Sequence, residues 1–446
     1  MAGLFCFSVL DGCTLPERLV RAAGVPGAGE AAGDSESASE PSGIIEIPYE
    51  GSDPWQNYEI ETDTLEIGDE SFSEREEGEG KGEGGDSGEA DALYRFSGEN
   101  NYCFSLLGND EKRVYIQMFN CFFNMESDVI LRTLDLDEVD KCFNYVLLDH
   151  PELFFVEGYK TVVTKRGGVP IKLSVSGKYG FTASERAAAQ KKIDAKVTEI
   201  LSGVPDTEDE YEKVRYIFDY IVNNTDYDAD SENNQNIVSV FVNGKSVCQG
   251  YSMAVKYLLD RMGIFCTLVY GYAGGENHSW NLVKVNGTYC YLDTTWGDAA
   301  YRDHEEKNKT YRTNYNYLGA DDEILKRTHK ISSPAPTPKC ESLEEYYFVR
   351  ENSYFTEVDM LRLQALFERV RSEGEDILTI KCADNTVYDR FISELFYRKK
   401  ISDFYEPGQT TSYIRDDMEY TISFTSLSEN REAPAQVVEE GQVVVQ

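Results

Sequence analysis

One cysteine, one histidine and one aspartate are spaced as a thiol-based active site would require. Cys248 lies in the segment KSVCQGYSMA, at the start of a predicted helix, and the segment HSWNLVKVNGTYCYLDTT carries His278 and Asp293 on a predicted hairpin. A thiolate is the reactive form of cysteine, an imidazole can take up its proton, and a carboxylate can orient that imidazole. The three residue types together predict nucleophilic catalysis through a thioester.

The helix that carries Cys248 is predicted from its capping signal and its periodicity. Ser246 and Gln249 have the spacing of a capping box, so Ser246 is the expected N-cap and Cys248 the second helical residue. The backbone N–H groups and the positive end of the helix dipole favour a thiolate there. Gly250 is expected where another segment approaches closely, and Gly263 is expected to end the helix. The residues predicted to form one buried face are Tyr251, Ala254, Val255, Leu258, Leu259 and Met262.

A β-hairpin is predicted to bring His278 and Asp293 together. Asn286-Gly287 is a strong turn signal between two segments of alternating character. With these two residues as the loop, Trp280 opposes Asp293, and His278 lies on the same face as Trp280. The carboxylate is therefore expected to hold one imidazole nitrogen, while the other nitrogen accepts the cysteine proton.

Other ionisable residues of this stretch are weaker candidates. Cys266 lies in the middle of a predicted strand, and Cys290 points to the opposite face of the hairpin. Asp298 follows the hairpin, outside the predicted pairing, which makes it a second choice as the orienting acid. The chain has four histidines, and His278 is the only one that local structure places near the cysteine.

Three blocks of the sequence resemble the transglutaminase-like superfamily. The resemblance spans residues 207–329 and is specific to secreted bacterial members with a papain-like order of Cys, His and Asp. It implies an α+β fold in which a cysteine-bearing helix packs on an antiparallel sheet. It also implies Cys248 as the nucleophile, His278 as the base and Asp293 as the orienting acid. The blocks are KSVCQGYSMA, HSWNLVKVNGTYCYLDTTWGD and YNYLGADDEILKRTHK.

The resemblance further implies an oxyanion hole beside Cys248. The backbone N–H of Cys248 is one expected donor. Papain-like enzymes carry a glutamine six residues before the cysteine, and Val242 stands at that position here. Tyr227 and Asn243 are therefore candidate substitutes.

The cleft is expected to be built without a metal or a cofactor. The ten cysteines show no C-x-x-C spacing, so no zinc site is expected. Trp280 and Trp296 would floor or wall the cleft, or would simply pack in the core.

The chain is strongly acidic, and its charge is unevenly placed. The net charge is −37 over 446 residues, and residues 26–92 hold 21 Asp and Glu against Arg75 and Lys81. This Gly- and Ser-rich segment has too little apolar surface to offset the entropy of ordering, so residues 1–92 are predicted to be a disordered tail. The acidic surface predicts that the chain has no nucleic-acid partner. No later run approaches the roughly 18 apolar residues of a membrane span, so no integral membrane segment is predicted.

The first 13 residues give an ambiguous signal for localisation. MAGLFCFSVLDGC is apolar and ends like a bacterial lipoprotein signal, but it lacks a basic region and carries Asp11 before Gly-Cys. Together with the acidic spacer it favours an extracellular or cell-surface location with a possible surface anchor.

The chain is predicted to contain three folded regions between two disordered tails. The predicted boundaries are 1–92 for the acidic tail, 93–204 for an N-terminal α+β region, 205–332 for the catalytic core, 333–342 for a Pro-rich linker, 343–427 for a small C-terminal α+β domain, and 428–446 for a second disordered tail.

The expected function is acyl chemistry on a protein or peptide amide. Hydrolysis, as in a cysteine protease, and transfer to an amine, as in a transglutaminase, use the same thioester, and the residues leave both open. The alternative is a non-catalytic surface module that binds proteins and retains a relic triad.

Overall fold

The computed structural model describes residues 58–67, 96–98, 100–298, 313–405, 410–425, 427 and 442–444. These residues form two compact units. The first unit runs to Tyr317 and also includes Thr328–Cys340, and the second comprises Leu318–Arg327 and the chain from Glu341 onward. Both units combine helices and sheets, which confirms the predicted α+β class.

The first part of the first unit is a four-stranded sheet with helices. A hairpin turns at Gly167-Gly168, and both glycines have positive φ. The strands have the order β1-β3-β4-β2, with β1 parallel and β4 antiparallel to β3. The elements are β1 (Glu59–Ile67), α1 (Tyr102–Ser105), α2 (Asn109–Phe123), β2 (Val129–Ile130), α3 (Leu136–Asp149), β3 (Val156–Arg166), β4 (Val169–Tyr179) and α4 (Ala183–Leu201).

Strand β1 lies inside the segment that was predicted to be disordered throughout, so that prediction is wrong for these nine residues. The edge of β3 offers backbone partners along the whole of β1. Lysines on the neighbouring strands pair with its acids: Lys160 with Asp63, and Lys178 with Glu59 and Glu61. These partners lie about 100 residues away in the chain, so composition alone could not show them. Residues 1–57 and 68–95 lie outside the described residues.

The second part of the first unit surrounds the helix that carries Cys248. Its antiparallel strands have the order β9-β8-β7-β11. The elements are α5 (Glu210–Asn224), β5 (Asp226–Tyr227), β6 (Lys245–Ser246), α6 (Cys248–Arg261), β7 (Cys266–Ala273), β8 (Glu276–Val285), β9 (Thr288–Leu292), α7 (Thr294–Gly297), β10 (Leu318–Ala320, a strand of the second unit) and β11 (His329–Ile331).

Helix α6 is buried on all sides over most of its length, whereas the sequence predicted one buried face. Every residue from 248 to 259 is buried, including Lys256, and Met262 is only half-buried. The Lys256 ammonium is satisfied inside the protein by Asp260 and by the carbonyl oxygens of Asn100 and Cys266. Residues of the N-terminal region therefore cover the side of α6 that the predicted pattern left to solvent. Gly263 follows the helix with a φ of 72°, as predicted.

The predicted hairpin of β8 and β9 is confirmed. Asn286 and Gly287 form the loop with φ values of 48° and 86°. The Asn286 side chain also binds the start of α5, because its Nδ2 donates to Asp209 and its Oδ1 accepts from the backbone N–H of Glu210. The turn thus joins the hairpin to the neighbouring helix.

The second unit is a smaller α+β domain with its own apolar core. Its sheet includes the order β12-β13-β15-β14-β16. Thr328–Cys340, which contains most of the predicted linker, belongs to the first unit instead. Strand β16 lies in the predicted C-terminal disordered tail, where it pairs with β14. The elements are α8 (Asp322–Leu325), α9 (Tyr347–Arg350), β12 (Tyr354–Phe355), α10 (Met360–Ser372), β13 (Leu378–Cys382), α11 (Asn385–Ile392), β14 (Thr410–Asp416), β15 (Thr421–Phe424) and β16 (Gln442–Val444).

Across the described ranges, the helices are either too short or too polar to span a bilayer.

Candidate active site

Cys248 is the first residue of α6, one position earlier than the capping box predicted. Val247 is the N-cap and contributes no capping side chain. The Ser246 hydroxyl instead bonds to Ser239 Oγ at 2.6 Å and to the carbonyl oxygen of Asn234 at 2.8 Å. The predicted capping box is therefore wrong, because the preceding segment satisfies Ser246. Cys248 still lies in the first turn, where the helix dipole favours a thiolate.

Gly250 meets the close approach that its position predicted. A Cβ atom at Gly250 would lie 1.9 Å from Ser246 Oγ and 2.9 Å from Ser239 Oγ. The absence of a side chain lets the segment before Cys248 fold back against the first turn of α6. The glycine thereby holds the cysteine end of the helix against this segment.

The first turn of α6 is tied to the strand that carries His278. Ser252 donates to the carbonyl oxygen of Cys248 at 2.9 Å, and its Oγ lies 3.1 Å from that of Ser279, the residue after His278. Asn281 Nδ2 donates to the carbonyl oxygen of Ser252 at 2.9 Å. Two side chains of β8 thus fix the helix start near the beginning of the strand.

His278 and Asp293 are in direct contact, as the hairpin register predicted. His278 Nε2 lies 2.7 Å from Asp293 Oδ2, and both side chains are buried. The β8–β9 ladder ends at Asn281 and Leu292, so Asp293 does not pair with Trp280 in the ladder as expected. Asp293 is instead the N-cap of α7.

The Asp293 carboxylate accepts four hydrogen bonds. Its Oδ1 accepts from the backbone N–H groups of Thr295 and Trp296 at 2.9 and 3.0 Å. Its Oδ2 faces His278 Nε2 and also His329 Nε2, at 3.0 Å. Burial alone would raise the pKa of Asp293, but the charges and hydrogen bonds of the two histidines outweigh it and hold the pKa well below its usual range.

His329 was not predicted as a site residue. It lies 36 residues after Asp293 in the chain, at the start of β11, and its ring is buried. Strand β11 can approach because Gly271 opposite it has no Cβ, which would lie 2.1 Å from the carbonyl oxygen of Lys330. The only signal in the sequence was the position of His329 near the end of the third block of the resemblance.

Trp280 and Trp296 surround the imidazole rings and do not form an open cleft wall. Trp280 is fully buried, and its ring centre lies 5.9 Å from that of His278 and 4.9 Å from that of His329. Trp296 is 4% exposed and lies 4.9 Å from His329. Of the two predicted roles, packing is the one that their burial supports.

The remaining predicted residues take different positions. Tyr227 pairs with Ser246 in the parallel β5–β6 ladder, close to the approach to Cys248, and its ring lies 6.4 Å from that of Tyr251. Asn243 is exposed, and its amide donates to the carbonyl oxygen of Glu232. Asp298 accepts from the Tyr251 hydroxyl at 3.4 Å. The Asn243 side chain therefore lies at the surface, where it binds the backbone of Glu232.

His278, Asp293 and His329 also offer one ligand atom each within 4.8 Å of one another, a grouping that a transition metal could use. The same three residues already form two histidine–carboxylate hydrogen bonds, at 2.7 and 3.0 Å. The three side chains therefore satisfy one another by hydrogen bonds, and the arrangement can take part in proton transfer.

A comparison with protein families identifies the segment that contains Cys248, His278 and Asp293. Residues 198–294 match the family model described as the transglutaminase-like superfamily. Over these residues the chain resembles that superfamily. The match covers Cys248, His278 and Asp293, and it supports thiol-dependent catalysis at the level of the superfamily.

Individual relatives of the transglutaminase-like segment are distant. The kyphoscoliosis peptidase of Mus musculus is 23% identical over 137 residues, which cover 27% of this chain and 21% of that protein. A crystal structure of a TGase is 14% identical, covers 34% of this chain and 54% of its own, and has a TM-score of 0.24. The periplasmic domain of TgpA from Pseudomonas aeruginosa is 12% identical. The match covers 30% of this chain and 59% of that domain's chain, with a TM-score of 0.21. The likeness to the superfamily therefore rests on the sequence match over residues 198–294.

Proposed function

We propose that this chain is a cysteine enzyme that forms a thioester with a protein or peptide amide, with Cys248 as nucleophile, His278 as base and Asp293 as orienting acid. The observation that carries this proposal is the 2.7 Å contact between His278 Nε2 and Asp293 Oδ2, next to a helix that begins at Cys248. The carboxylate holds the Nε2 proton, so Nδ1 is the ring nitrogen that exchanges a proton with the thiol.

The proposed reaction has two steps. The Cys248 thiolate attacks the amide carbonyl carbon, and the imidazolium of His278 gives its proton to the leaving amine as the C–N bond breaks. Water or a second amine then attacks the thioester carbonyl carbon and loses one proton to the neutral His278. The C–S bond breaks, which restores the Cys248 thiolate beside the imidazolium. The backbone N–H of Cys248 is our proposed oxyanion donor, with Tyr227 as the nearest candidate side chain.

Hydrolysis is the outcome that we place first. The curated relative is called a peptidase, which favours water as the acceptor, although the chain spans only about a fifth of that relative's length. Transfer to a primary amine uses the same intermediate. A native substrate that is a protein or peptide, and an extracellular or cell-surface location, remain proposals.

Thiol labelling tests the nucleophile. We expect iodoacetamide at neutral pH to modify Cys248 first, because a thiolate at a helix start reacts faster than a neutral thiol. Cys248→Ala should abolish the fast phase, whereas the matched variant Cys290→Ala, at a buried position on β9, should keep it. Mass spectrometry of the modified peptides gives the site. A fast phase that survives Cys248→Ala would place the nucleophile elsewhere.

Product analysis tests the reaction. A glutamine-containing peptide library is incubated with the full chain, with and without a primary amine, and the products are identified by mass. Cleaved peptide or free acid means hydrolysis, and amine incorporation means transfer. An absence of turnover over the whole library, despite fast labelling of Cys248, would overturn the catalytic proposal in favour of the binding module.

A further inference from the structure

The Asp293 carboxylate binds a second histidine that a Cys-His-Asp triad does not require. His329 Nε2 lies 3.0 Å from the same oxygen, Oδ2, that binds His278. The His329 ring is fully shielded from solvent. In the sheet, β7 lies between β8, which carries His278, and β11, which carries His329. Two imidazoles therefore compete for one oxygen of one buried carboxylate.

Hydrogen bonds continue from His329 to two hydroxyl groups. His329 Nδ1 lies 2.8 Å from Thr328 Oγ1, which lies 2.8 Å from the Tyr317 hydroxyl. If Tyr317 donates to Thr328 and Thr328 donates to His329 Nδ1, a neutral His329 must carry its proton on Nε2 and donate it to Asp293. The backbone carbonyl of Tyr317 also accepts from the N–H of Asp293 at 3.0 Å, so the same segment holds both ends of this chain of hydrogen bonds.

We infer that His329 is a positioning residue for the proposed reaction: it donates a second hydrogen bond to Asp293 Oδ2 and thereby sets the orientation and basicity of His278. The inference rests on the proposed function for its effect on turnover. A carboxylate oxygen that accepts from two donors forms a weaker hydrogen bond with His278 than one that has a single donor. It therefore stabilises the protonated form of His278 less. It also has only one orientation that satisfies both imidazoles, which fixes the ring of His278.

Among the described residues, buried phenols lie on the elements beside the cluster, Tyr251 on α6 and Tyr270 on β7. Burial is the main cause that raises the pKa of Tyr251 and of Tyr270 well above the usual range, so both phenols stay neutral at physiological pH. Asp298 is bonded to the Tyr251 hydroxyl. His329 is therefore the group besides His278 whose loss changes the hydrogen bonding of Asp293 Oδ2 most directly.

Two variants of His329 separate positioning from packing. His329→Phe keeps an aromatic ring among Trp280, Trp296 and Tyr317 but removes the donor, whereas His329→Gln keeps an N–H that can reach Asp293. We expect the Phe variant to lower kcat about 10- to 100-fold with little change in KM, because the base is misplaced rather than the substrate site. The Gln variant should recover most of the loss.

An NMR titration tests the inference without any substrate. In the Cys248→Ala background, we expect the pKa of His278 to rise in the His329→Phe variant and to return toward the starting value in the His329→Gln variant. The iodoacetamide rate at Cys248, measured with the cysteine restored, should change in the same order. An unchanged pKa and labelling rate in a folded Phe variant would overturn the inference. A shifted pKa in an enzyme that shows no turnover would instead support His329 and contradict the proposed reaction.

Discussion

Asp293 is the residue on which the hydrogen bonds of the candidate site converge. It caps α7 with one oxygen and receives both imidazoles with the other. The capping role was not predicted, because the alternation of the hairpin placed Asp293 in a strand. The carboxylate therefore has a structural role and a proposed catalytic role at once, and a substitution should affect both.

Asp293→Asn tests this double role. The Asn Oδ1 can still cap α7, but its amide group would present donors to two imidazole N–H groups, so at least one histidine must change its tautomer or move. We expect turnover to fall by about two to four orders of magnitude. We also expect the free energy of unfolding to fall by about 2 kcal/mol, because charge-assisted hydrogen bonds in a buried site are lost.

The pH dependence of that stability loss has a defined sign. The pKa of Asp293 is lowered in the folded state, so its contribution to stability is fully present above the unfolded pKa of about 3.9 and is lost as the pH falls through the folded value. Thermal unfolding of both proteins between pH 3 and pH 8 measures this. The stability difference should be constant above about pH 5 and should begin to narrow only near pH 4. A difference that widens on acidification would contradict the assigned charge of Asp293.

At the scale of elements, the start of α6 depends on the segment that folds back before it. Gly250 admits Ser246 and Ser239 into the first turn, and the hydroxyls of those two serines bond to each other. The sequence predicted that a close approach would occur at Gly250 but not which segment would make it. The position of Cys248 is therefore set jointly by the helix and by this segment.

Gly250→Ala should move or loosen the start of α6. Alanine would gain about 1 kcal/mol in helix propensity, but its Cβ would overlap a buried hydroxyl, and overpacking of this kind costs about 1–3 kcal/mol. We expect a net loss of stability and slower iodoacetamide labelling of Cys248. The Ser246→Ala/Gly250→Ala double variant removes the overlapping oxygen and should recover part of the loss. A single variant as stable and as reactive as the unmodified chain would show that the approach at Gly250 is unimportant.

At the scale of the whole chain, a residue from the acidic N-terminal region lies against the active-site helix. Tyr58 immediately precedes β1, and its hydroxyl accepts from Gln249 Nε2 at 3.1 Å, one residue after Cys248. Its ring lies against Phe143, at 5.3 Å between centres, and burial raises its pKa to about 12. Cys248 itself is 9% exposed. Because Gln249 adjoins Cys248, we expect the segment that contains Tyr58 to cover part of the approach to the cysteine.

Removal of residues 1–67 should expose this approach. The acids of the ion pairs that hold β1 are exposed, so each pair stabilises the strand by only about 0–1 kcal/mol and is screened by salt. We expect the truncated chain to react with iodoacetamide at Cys248 several-fold faster than the full chain. Tyr58→Phe, which keeps the ring, should change the rate much less. Equal rates for the full and truncated chains would show that β1 and Tyr58 do not restrict access.

The sequence by itself determined the local parts of this site. Asn286-Gly287 selects a two-residue turn, the turn sets the register of β8 and β9, and that register brings His278 to Asp293. Helical spacing likewise predicted the helix that begins at Cys248. Each of these features depends on interactions within a few residues or across one hairpin, so the pattern of residue types contains the necessary information.

Only the tertiary structure decided the contacts between distant segments. His329 reaches Asp293 because β11 joins the sheet beside β7, and β1 is ordered because β3 offers it a free edge. Burial of α6 on all sides, the replacement of its capping box and the burial of both tryptophans also depend on segments far apart in the chain. Such contacts leave no periodic signal in the sequence, since each depends on where the other segment packs.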